Sequence, residues 1–237
     1  MSAGRERARQ SELFIVTDRR ATNGRPLLAV VTEALAGVRT FRDRTGVEPR
    51  VAVQLREKDL PARELTEIAH RMREITRKAQ VRLFINDRID VALCVEADGV
   101  QLGVTTVALE TARKFYPQLE LGFSTHCLSE LRRFATGVAA CPDFAFFGPV
   151  FETPAKAGII GTKGVHTLTE AAKCHPKIIA IGGVVASNIN DLLVVGCGGV
   201  ACIREILGAP APGKVTTRLL DEIWKFDEAA VRRIPLT

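Results

Sequence analysis

Several features that would point to common protein classes are scarce or missing in this sequence. Aromatic residues make up 5% of the 237-residue chain, and no stripe of Lys and Arg interleaved with them runs along it. We therefore expect no nucleic-acid partner, although the net charge of +6 is basic. None of the six cysteines forms a C-x-x-C pair, which argues against a zinc site. A basic pocket for an anionic small molecule explains the Lys and Arg residues in the interior of the sequence better than nucleic-acid binding does.

Signals for secretion, membranes and dinucleotides are missing as well. The chain shows no signal peptide and no apolar run long enough to span a bilayer, so we expect a cytoplasmic protein without a membrane partner. No G-x-G-x-x-G follows the first apolar run, which weakens a dinucleotide-binding interpretation. The first twelve residues are polar, so we expect a flexible segment over 1–12. Since no low-complexity linker divides the chain, we expect one domain over 13–237.

Short apolar runs and amphipathic stretches alternate along the rest of the chain. Val, Ile, Leu and Ala supply most of the apolar content, which suits parallel strands buried beneath helices. The runs that predict strands are LFIVTD (13–18), VAVQLR (51–56), VRLFIND (81–87), GVQLG (99–103), LELGFST (119–125), FAFFGPV (144–150), KIIAIGG (177–183) and GVACIR (199–204). Between them, stretches such as 27–44 and 62–79 carry apolar residues at the three-to-four spacing of helices.

Eight strands, each followed by a helix, indicate repeated βαβ units. Two architectures fit this alternation, a doubly wound open sheet and a closed barrel. The count of eight and the near-minimal length favour the barrel. We therefore predict an α/β fold made of a single (β/α)8 TIM barrel.

Polar residues follow almost every predicted strand. Chemistry in such barrels is located at the C-terminal ends of the strands, so these residues are read together. They are Asp18, Gln54, Arg56, Lys58, Asn86, Asp87, Arg88, Gln101, Ser124, Thr125, His126, Thr153, Lys156, Gly182, Gly183 and Arg204.

The second strand ends in the most informative of these groups. Period-two spacing puts Gln54 and Arg56 on one face, with Lys58 just beyond. A guanidinium and an ammonium suit phosphate oxygens, so we predict anion binding here. The alternative is a solvated salt-bridge cluster in which these cations pair with Glu57 and Asp59.

Two further strand ends carry weaker signals. Gly182 and Gly183 end the seventh strand and can expose backbone N–H groups to a phosphate, or can simply make a tight turn. After the fifth strand, Ser124 and Thr125 precede His126, which could be a general acid–base near neutral pH. The imidazole could equally cap the next helix or bond a backbone carbonyl.

A long loop follows the sixth strand. Thr153 and Lys156 could close over a substrate there, and glycines at 158, 161 and 164 make the loop a candidate lid. The alternative is a surface loop with ordinary turn chemistry.

Several of these motifs resemble one family. VQLREKDL, INDRIDVAL, ADGVQLG, STH, FFGPVFET-P-K and IAIGG are similar, in order and spacing, to thiamine phosphate synthase and its relative the thiazole tautomerase. The resemblance runs from about Leu13 to about Leu207, nearly all of the predicted barrel. It therefore supports the same fold.

The resemblance to the synthase implies a specific reaction. Hydroxymethylpyrimidine pyrophosphate loses pyrophosphate, and the nitrogen of thiazole phosphate attacks the exocyclic methylene of the pyrimidine carbocation, which gives thiamine phosphate. A magnesium ion and a ring of cations would stabilise the departing charge. The resemblance implies Ser124, His126 and Lys156 as catalytic residues and Asp87 as a metal ligand. The implied substrate-binding residues are Gln54, Arg56, Lys58, Asn86, Thr125, Thr153, Gly183, Ile203 and Arg204.

The sequence also departs from the synthase pattern. Gln101, Val104 and Thr106 stand where the pattern has His, Gln and the second magnesium-binding Asp. Ala155 replaces a threonine of the loop after strand six, and Arg204 replaces the serine after strand eight. A neutral hydroxyl is a poor magnesium ligand beside a carboxylate. Arg204 either strengthens phosphate binding or blocks the pocket.

These departures leave three functions open. The tautomerase needs no metal and would use His126 for proton transfer. A barrel that binds a thiamine precursor or phosphate without catalysis is a third possibility. Retention of the whole Q-x-R-x-K and N-D-R sets favours the synthase, which is our prediction. Retention of Arg56, Asp87 and Lys156 together argues against a barrel without catalysis. We expect small phosphorylated substrates as its partners and leave a homo-oligomer open.

Overall fold

The computed structural model describes residues 11–137, 140–152, 162–175 and 177–232. Among them, no helix is both long and apolar enough to cross a membrane. The first strand begins at Glu12, one residue before the predicted start of the domain. The prediction of a flexible segment concerns mainly residues outside the described ranges and stays a prediction.

Eight parallel strands form a closed barrel in sequential order. They are β1 (Glu12–Val16), β2 (Arg50–Leu55), β3 (Arg82–Asn86), β4 (Gly99–Gly103), β5 (Glu120–Thr125), β6 (Phe144–Phe147), β7 (Ile178–Ile181) and β8 (Gly199–Cys202). Pairing of β1 with β8, in the register Glu12 opposite Gly199, closes the sheet. The predicted TIM barrel is confirmed, and the open-sheet alternative is excluded.

Helices surround the barrel. They are α1 (Leu27–Thr45), α2 (Ala62–Ala79), α3 (Ile89–Cys94), α4 (Leu109–Phe115), α5 (Leu128–Ala135), α6 (Gly164–Cys174), α7 (Ile189–Val194), α8 (Arg204–Leu207) and α9 (Pro212–Arg232), with 3-10 turns at Arg19–Ala21 and Ala186–Asn188. The strands end earlier than their apolar runs. β6 stops before Pro149, which has no N–H for the ladder, and β7 stops before Gly182, whose φ is +100°.

Four phenylalanine rings fill the inside of the barrel. Phe14, Phe84, Phe144 and Phe146 lie with ring centroids 4.9–5.7 Å apart, and we call them the phenylalanine floor. Gly99 makes room for this packing, because a Cβ there would lie 2.5 Å from Cε1 of Phe84. The floor separates the two ends of the barrel.

Four charged side chains lie below the floor at the N-terminal end. Glu12, Arg82, Glu120 and Lys177 form what we call the basal charge cluster. Glu12 is 0% exposed and pairs with Arg82 and, at 3.0 Å, with Lys177 Nζ. Burial lowers the pKa of Lys177, while Glu120 acts in the opposite direction. Both cations also lie over rings of the floor.

Candidate active site

The loop after β1 and the end of β2 are joined by a buried carboxylate. Glu57 accepts hydrogen bonds from Thr17 Oγ1 at 2.8 Å and from the backbone N–H of Arg19 at 3.1 Å. The Thr17 hydroxyl in turn accepts from the N–H of Arg56 at 2.8 Å. This network holds the backbone of Arg56 in place at the C-terminal end of the barrel.

The second acid of this segment pairs with the same loop. Asp59 accepts two hydrogen bonds from the guanidinium of Arg19, at 2.6 and 2.7 Å, and one from Arg20 at 2.6 Å. These bonds, chiefly those of Arg19, hold the pKa of Asp59 well below its usual range.

The alternative in which Arg56 and Lys58 pair with Glu57 and Asp59 is therefore wrong. Glu57 and Asp59 bind cations from the β1 loop instead. Within the described ranges, no carboxylate pairs with Arg56, which is half-buried, or with Lys58, which is exposed. Two cations without acidic partners at one strand end are suited to phosphate oxygens, and anion binding by Arg56 and Lys58 stays a prediction.

A layer of polar side chains lies directly above the phenylalanine floor. Gln54, Asn86, Gln101 and Ser124 each follow a residue of the barrel interior by two positions, so they point inward. We call them the polar layer. Gln54 Nε2 donates to Asn86 Oδ1 at 3.0 Å, and Gln101 Nε2 donates to Ser124 Oγ at 2.8 Å. The Oε1 atoms of both glutamines are buried and have no partner among the described residues.

The polar layer continues into Asp87 at the end of β3. Asn86 Nδ2 donates to Asp87 Oδ2 at 2.6 Å, so donors run from Gln54 through Asn86 to the carboxylate. The backbone N–H of Asp87 donates to the carbonyl of Gln101 at 2.9 Å. Asp87 has a φ of +64°, a conformation that costs energy for a non-glycine residue and is common at functional sites.

The magnesium ion implied by the family pattern would have one protein carboxylate here. Thr106, at the position of the second acid, uses its hydroxyl within its own turn: it accepts from Gly103 N–H at 3.0 Å and donates to Gly103 O at 2.9 Å. No group of three His, Cys, Asp or Glu that could hold a metal is found in the described part of the chain. Magnesium is commonly held by one or two carboxylates plus substrate phosphates. Asp87 therefore fits a magnesium ion that arrives with a pyrophosphate.

The residues after β5 bond to their own surroundings. Thr125 is buried, donates to the Glu130 carboxylate and accepts from the N–H of Cys127 at 3.0 Å. His126 is exposed and its Nδ1 bonds the carbonyl of Gly148, the contact that the sequence allowed as an alternative to proton transfer. The predicted roles of both residues in substrate binding and catalysis stay predictions.

Arg88, the remaining polar residue at the end of β3, binds a residue of α3. Arg88 forms a bidentate pair with Asp90, with Nε 2.8 Å from Oδ1, at the start of α3. This pairing raises the pKa of Arg88 and lowers that of Asp90.

The loop after β7 requires its glycines. Gly183 has a φ of +66°, and a Cβ there would lie 2.6 Å from Cβ of Phe151. Asn188 clamps the loop, since its Oδ1 accepts from Val185 N–H and its Nδ2 donates to Gly183 O, both at 3.0 Å. The N–H of Gly183 has no acceptor among the described residues, so it can bind a ligand oxygen.

Two predicted residues follow β8. Ile203 packs against the interior cluster of the barrel, and Arg204 is exposed at the first position of α8. In the described ranges no carboxylate pairs with Arg204. The predictions for Thr153, Ala155 and Lys156, and for the lid glycines 158 and 161, lie outside the described residues.

Sequence reasoning missed the network that supports this site. Thr17 and Arg19 carry no local signal, because their partner Glu57 lies about 40 residues away in the chain. The sequence places Gln101 at a strand end and as a departure from the family pattern without indicating a role for it, yet it is among the most buried polar residues, at 1% exposure.

The fold and the strand ends together define a class: a TIM barrel with polar and cationic side chains at the C-terminal ends of its strands. A sequence model of the thiamine monophosphate synthase family matches residues 13–206. The chain therefore belongs to the thiamine monophosphate synthase family.

Individual relatives agree with this assignment. Over 210 residues the chain is 42% identical to a Geobacter sulfurreducens protein provisionally named a thiamine-phosphate synthase, and 36% identical to the thiamine-phosphate synthase of Pyrococcus furiosus. Both comparisons cover 88% of this chain and 92% of the relative. A solved structure of thiamine phosphate pyrophosphorylase from Pyrococcus furiosus superposes with a TM-score of 0.76 at 32% identity, covering 92% of this chain and 98% of that one.

Proposed function

We propose that this chain is a thiamine-phosphate synthase, a transferase of thiamine biosynthesis. The observation that carries the proposal is the pair of cations at the end of β2, Arg56 and Lys58, which no described carboxylate neutralises. They stand in a barrel that belongs to the family and beside polar groups suited to an aminopyrimidine. The substrates would be small and phosphorylated, and we expect the reaction to occur in the cytoplasm.

The reaction implied by the resemblance has a simple electron balance. The bond between the exocyclic methylene of the pyrimidine and the pyrophosphate oxygen breaks, and the pyrophosphate leaves with the electron pair. The lone pair of the thiazole nitrogen forms the new C–N bond, which makes the nitrogen cationic. No proton has to be removed in this step, so the main task of the protein is to bind, orient and stabilise charge.

The two cations at the end of β2 would stabilise the leaving pyrophosphate. Negative charge grows on the pyrophosphate as the bond breaks. Arg56 and Lys58 would therefore stabilise the transition state more than the bound substrate. The backbone of Arg56 is held by Thr17 and Glu57, so its side chain starts from a fixed position. Lys156 would add a third cation according to the family pattern.

Asp87 would hold the magnesium ion together with the oxygens of the pyrophosphate. When bound, the ion supplies neutralisation of the charge on the leaving group. Asn86 keeps the Asp87 carboxylate oriented through its 2.6 Å hydrogen bond. We propose that metal and pyrophosphate bind together, because the chain offers no second carboxylate at Thr106.

The remaining groups would orient the two rings. The buried Oε1 of Gln54 has no partner among the described residues and can accept from an amino group of the pyrimidine. Gly183 N–H, Thr153 and Arg204 would receive the phosphate of the thiazole, and Ile203 would pack beside it.

The deciding experiment incubates the purified protein with both substrates and follows thiamine phosphate and pyrophosphate, with magnesium and with a chelator. We expect magnesium-dependent formation of both products in equal amounts. The matched variants are Asp87→Asn, which should lose turnover, and Asp90→Asn, which removes a carboxylate already paired with Arg88 and should retain it. Product formation by Asp87→Asn at the wild-type rate would contradict the metal role.

Other outcomes distinguish the alternative functions. Chelator-resistant isomerisation of the thiazole carboxylate phosphate, lost in His126→Ala, would identify a tautomerase. Ligand-induced thermal stabilisation without any product would identify a binding protein.

A further inference from the structure

Gln101 has an unusual environment for a glutamine. It lies in the middle of β4, opposite Gly122 of β5, and is 1% exposed. Its Nε2 donates to Ser124 Oγ at 2.8 Å, while its Oε1 has no partner in the described part of the chain. A buried amide with one unsatisfied oxygen costs stability, which suggests that its remaining hydrogen bond serves another purpose.

The hydrogen bond determines what the serine can do. A serine hydroxyl has one O–H donor and two acceptor positions. Gln101 fills one acceptor position, and among the described residues nothing accepts from the Ser124 O–H. Ser124 is half-buried at the top of the polar layer, so its O–H can be directed at an acceptor atom of a ligand.

The neighbouring strand makes room for this arrangement. A Cβ on Gly122 would lie 2.1 Å from Gln101 Oε1 and 2.4 Å from Cζ of Phe144. Any side chain at position 122 would therefore displace the glutamine or the ring. Gly122 allows a long amide to cross from β4 to Ser124 above the phenylalanine floor.

We propose that Gln101 is a positioning residue: by donating to Ser124 Oγ, it commits the serine O–H to donate to the bound pyrimidine. The inference rests on the proposed function, because the pyrimidine is a substrate of that reaction. It also gives a physical role to a residue that departs from the synthase pattern, in which a histidine occupies this position. A histidine ring N–H can provide the same donor.

The test is a double-mutant cycle on binding. Hydroxymethylpyrimidine pyrophosphate is titrated calorimetrically with magnesium and without thiazole, so no turnover is needed. Gln101→Met and Ser124→Ala should each raise Kd by up to about tenfold, the usual range for one neutral hydrogen bond. The double variant should bind no more weakly than Ser124→Ala alone, because Gln101 acts only through Ser124.

Two further substitutions at position 101 should change Kd in a pattern that a purely structural role of Gln101 would not produce. Gln101→Glu keeps the shape, but an ionised carboxylate accepts from the serine and takes its O–H away from the ligand. Gln101→Glu should therefore bind more weakly than Gln101→Met. Gln101→His should bind within about threefold of wild type.

A control variant separates an effect specific to position 101 from a general effect of added negative charge. Gln118→Glu makes the same change on an exposed turn and should leave Kd unchanged. If the effects of Gln101→Met and Ser124→Ala multiply, the inference is overturned while wild-type turnover still supports the synthase. A coupled cycle without turnover would overturn the proposed function alone, and no wild-type binding would overturn both. If Gln101→Met does not fold, the Glu and His variants decide.

Discussion

Replacement of Glu12 by Gln tests the basal charge cluster. Glu12 is completely buried and pairs with both Arg82 and Lys177, which are only partly exposed. The amide keeps the shape but leaves two cations facing Glu120 alone. Breaking a buried ion pair by removing one partner costs about 3–5 kcal/mol, because the other charge stays buried. A domain of this size loses about 2–4 °C in Tm for each kcal/mol, so we expect a fall of about 10 °C.

The assay is thermal unfolding followed by circular dichroism at neutral pH. The double variant Glu12→Gln/Lys177→Gln removes one charge of each sign and leaves Arg82 paired with Glu120, so it should regain at least half of the lost Tm. Glu48→Gln, which breaks an exposed pair with Arg42, should change Tm by less than about 2 °C.

A fall in Tm for Glu12→Gln no larger than that for Glu48→Gln would refute this reasoning. It would mean that the cations of the cluster reach water when Glu12 is neutral. A double variant that is less stable than the single one would refute the charge-balance argument specifically.

Three further predictions concern other parts of the molecule. His175 is buried, and burial chiefly lowers its pKa, so it is neutral in the folded state while the unfolded state protonates near about pH 6.5. Its contribution to stability is therefore complete above that pH and is lost as the pH falls towards the folded pKa; Tm should drop on acidification less in His175→Gln than in wild type. Thr106→Asp adds a carboxylate and should lower the magnesium concentration for half-maximal turnover; an unchanged value would place position 106 away from the metal. Arg204→Ser should raise KM for thiazole phosphate about tenfold if the guanidinium binds the phosphate, whereas a lower KM would show that it obstructs the pocket. Arg71→Ser, an equal charge change on the exposed face of α2, is its control and should leave KM unchanged.

The barrel could be predicted because its signals are local and repeat eight times. The stretch 62–79 coincides with α2, and the predicted run 99–103 coincides with β4. The predicted run over β6 was too long because hydrophobicity continues past Phe147, whereas the ladder cannot continue through Pro149. Apolar periodicity reports burial, not where a backbone stops pairing.

The partners of the charged residues could not be predicted. Glu57 and Asp59 looked like partners for Arg56 and Lys58, their nearest cations in sequence. The structure pairs the acids with the loop after β1 instead, because the parallel neighbour of β2 brings Arg19 to them.

The basal charge cluster does have a signal in the sequence. Arg82 stands two residues before the inward-facing Phe84, so period-two spacing puts it inside the barrel as well. The same spacing relates Glu12 to Phe14 and thus identifies a buried acid.

The phenylalanine floor affects how this chain can accumulate substitutions. Three residues of β3 lie between Arg82 below the floor and Asn86 above it, and these four steps along the strand rise about 13 Å through packed rings. Changes at that distance with no shared partners usually add in free energy. Thermostability can therefore be raised or lowered at the base while the affinity for substrate stays constant. An evolving or engineered lineage of this barrel can alter its heat tolerance and its substrate choice in either order, because neither change requires the other to come first.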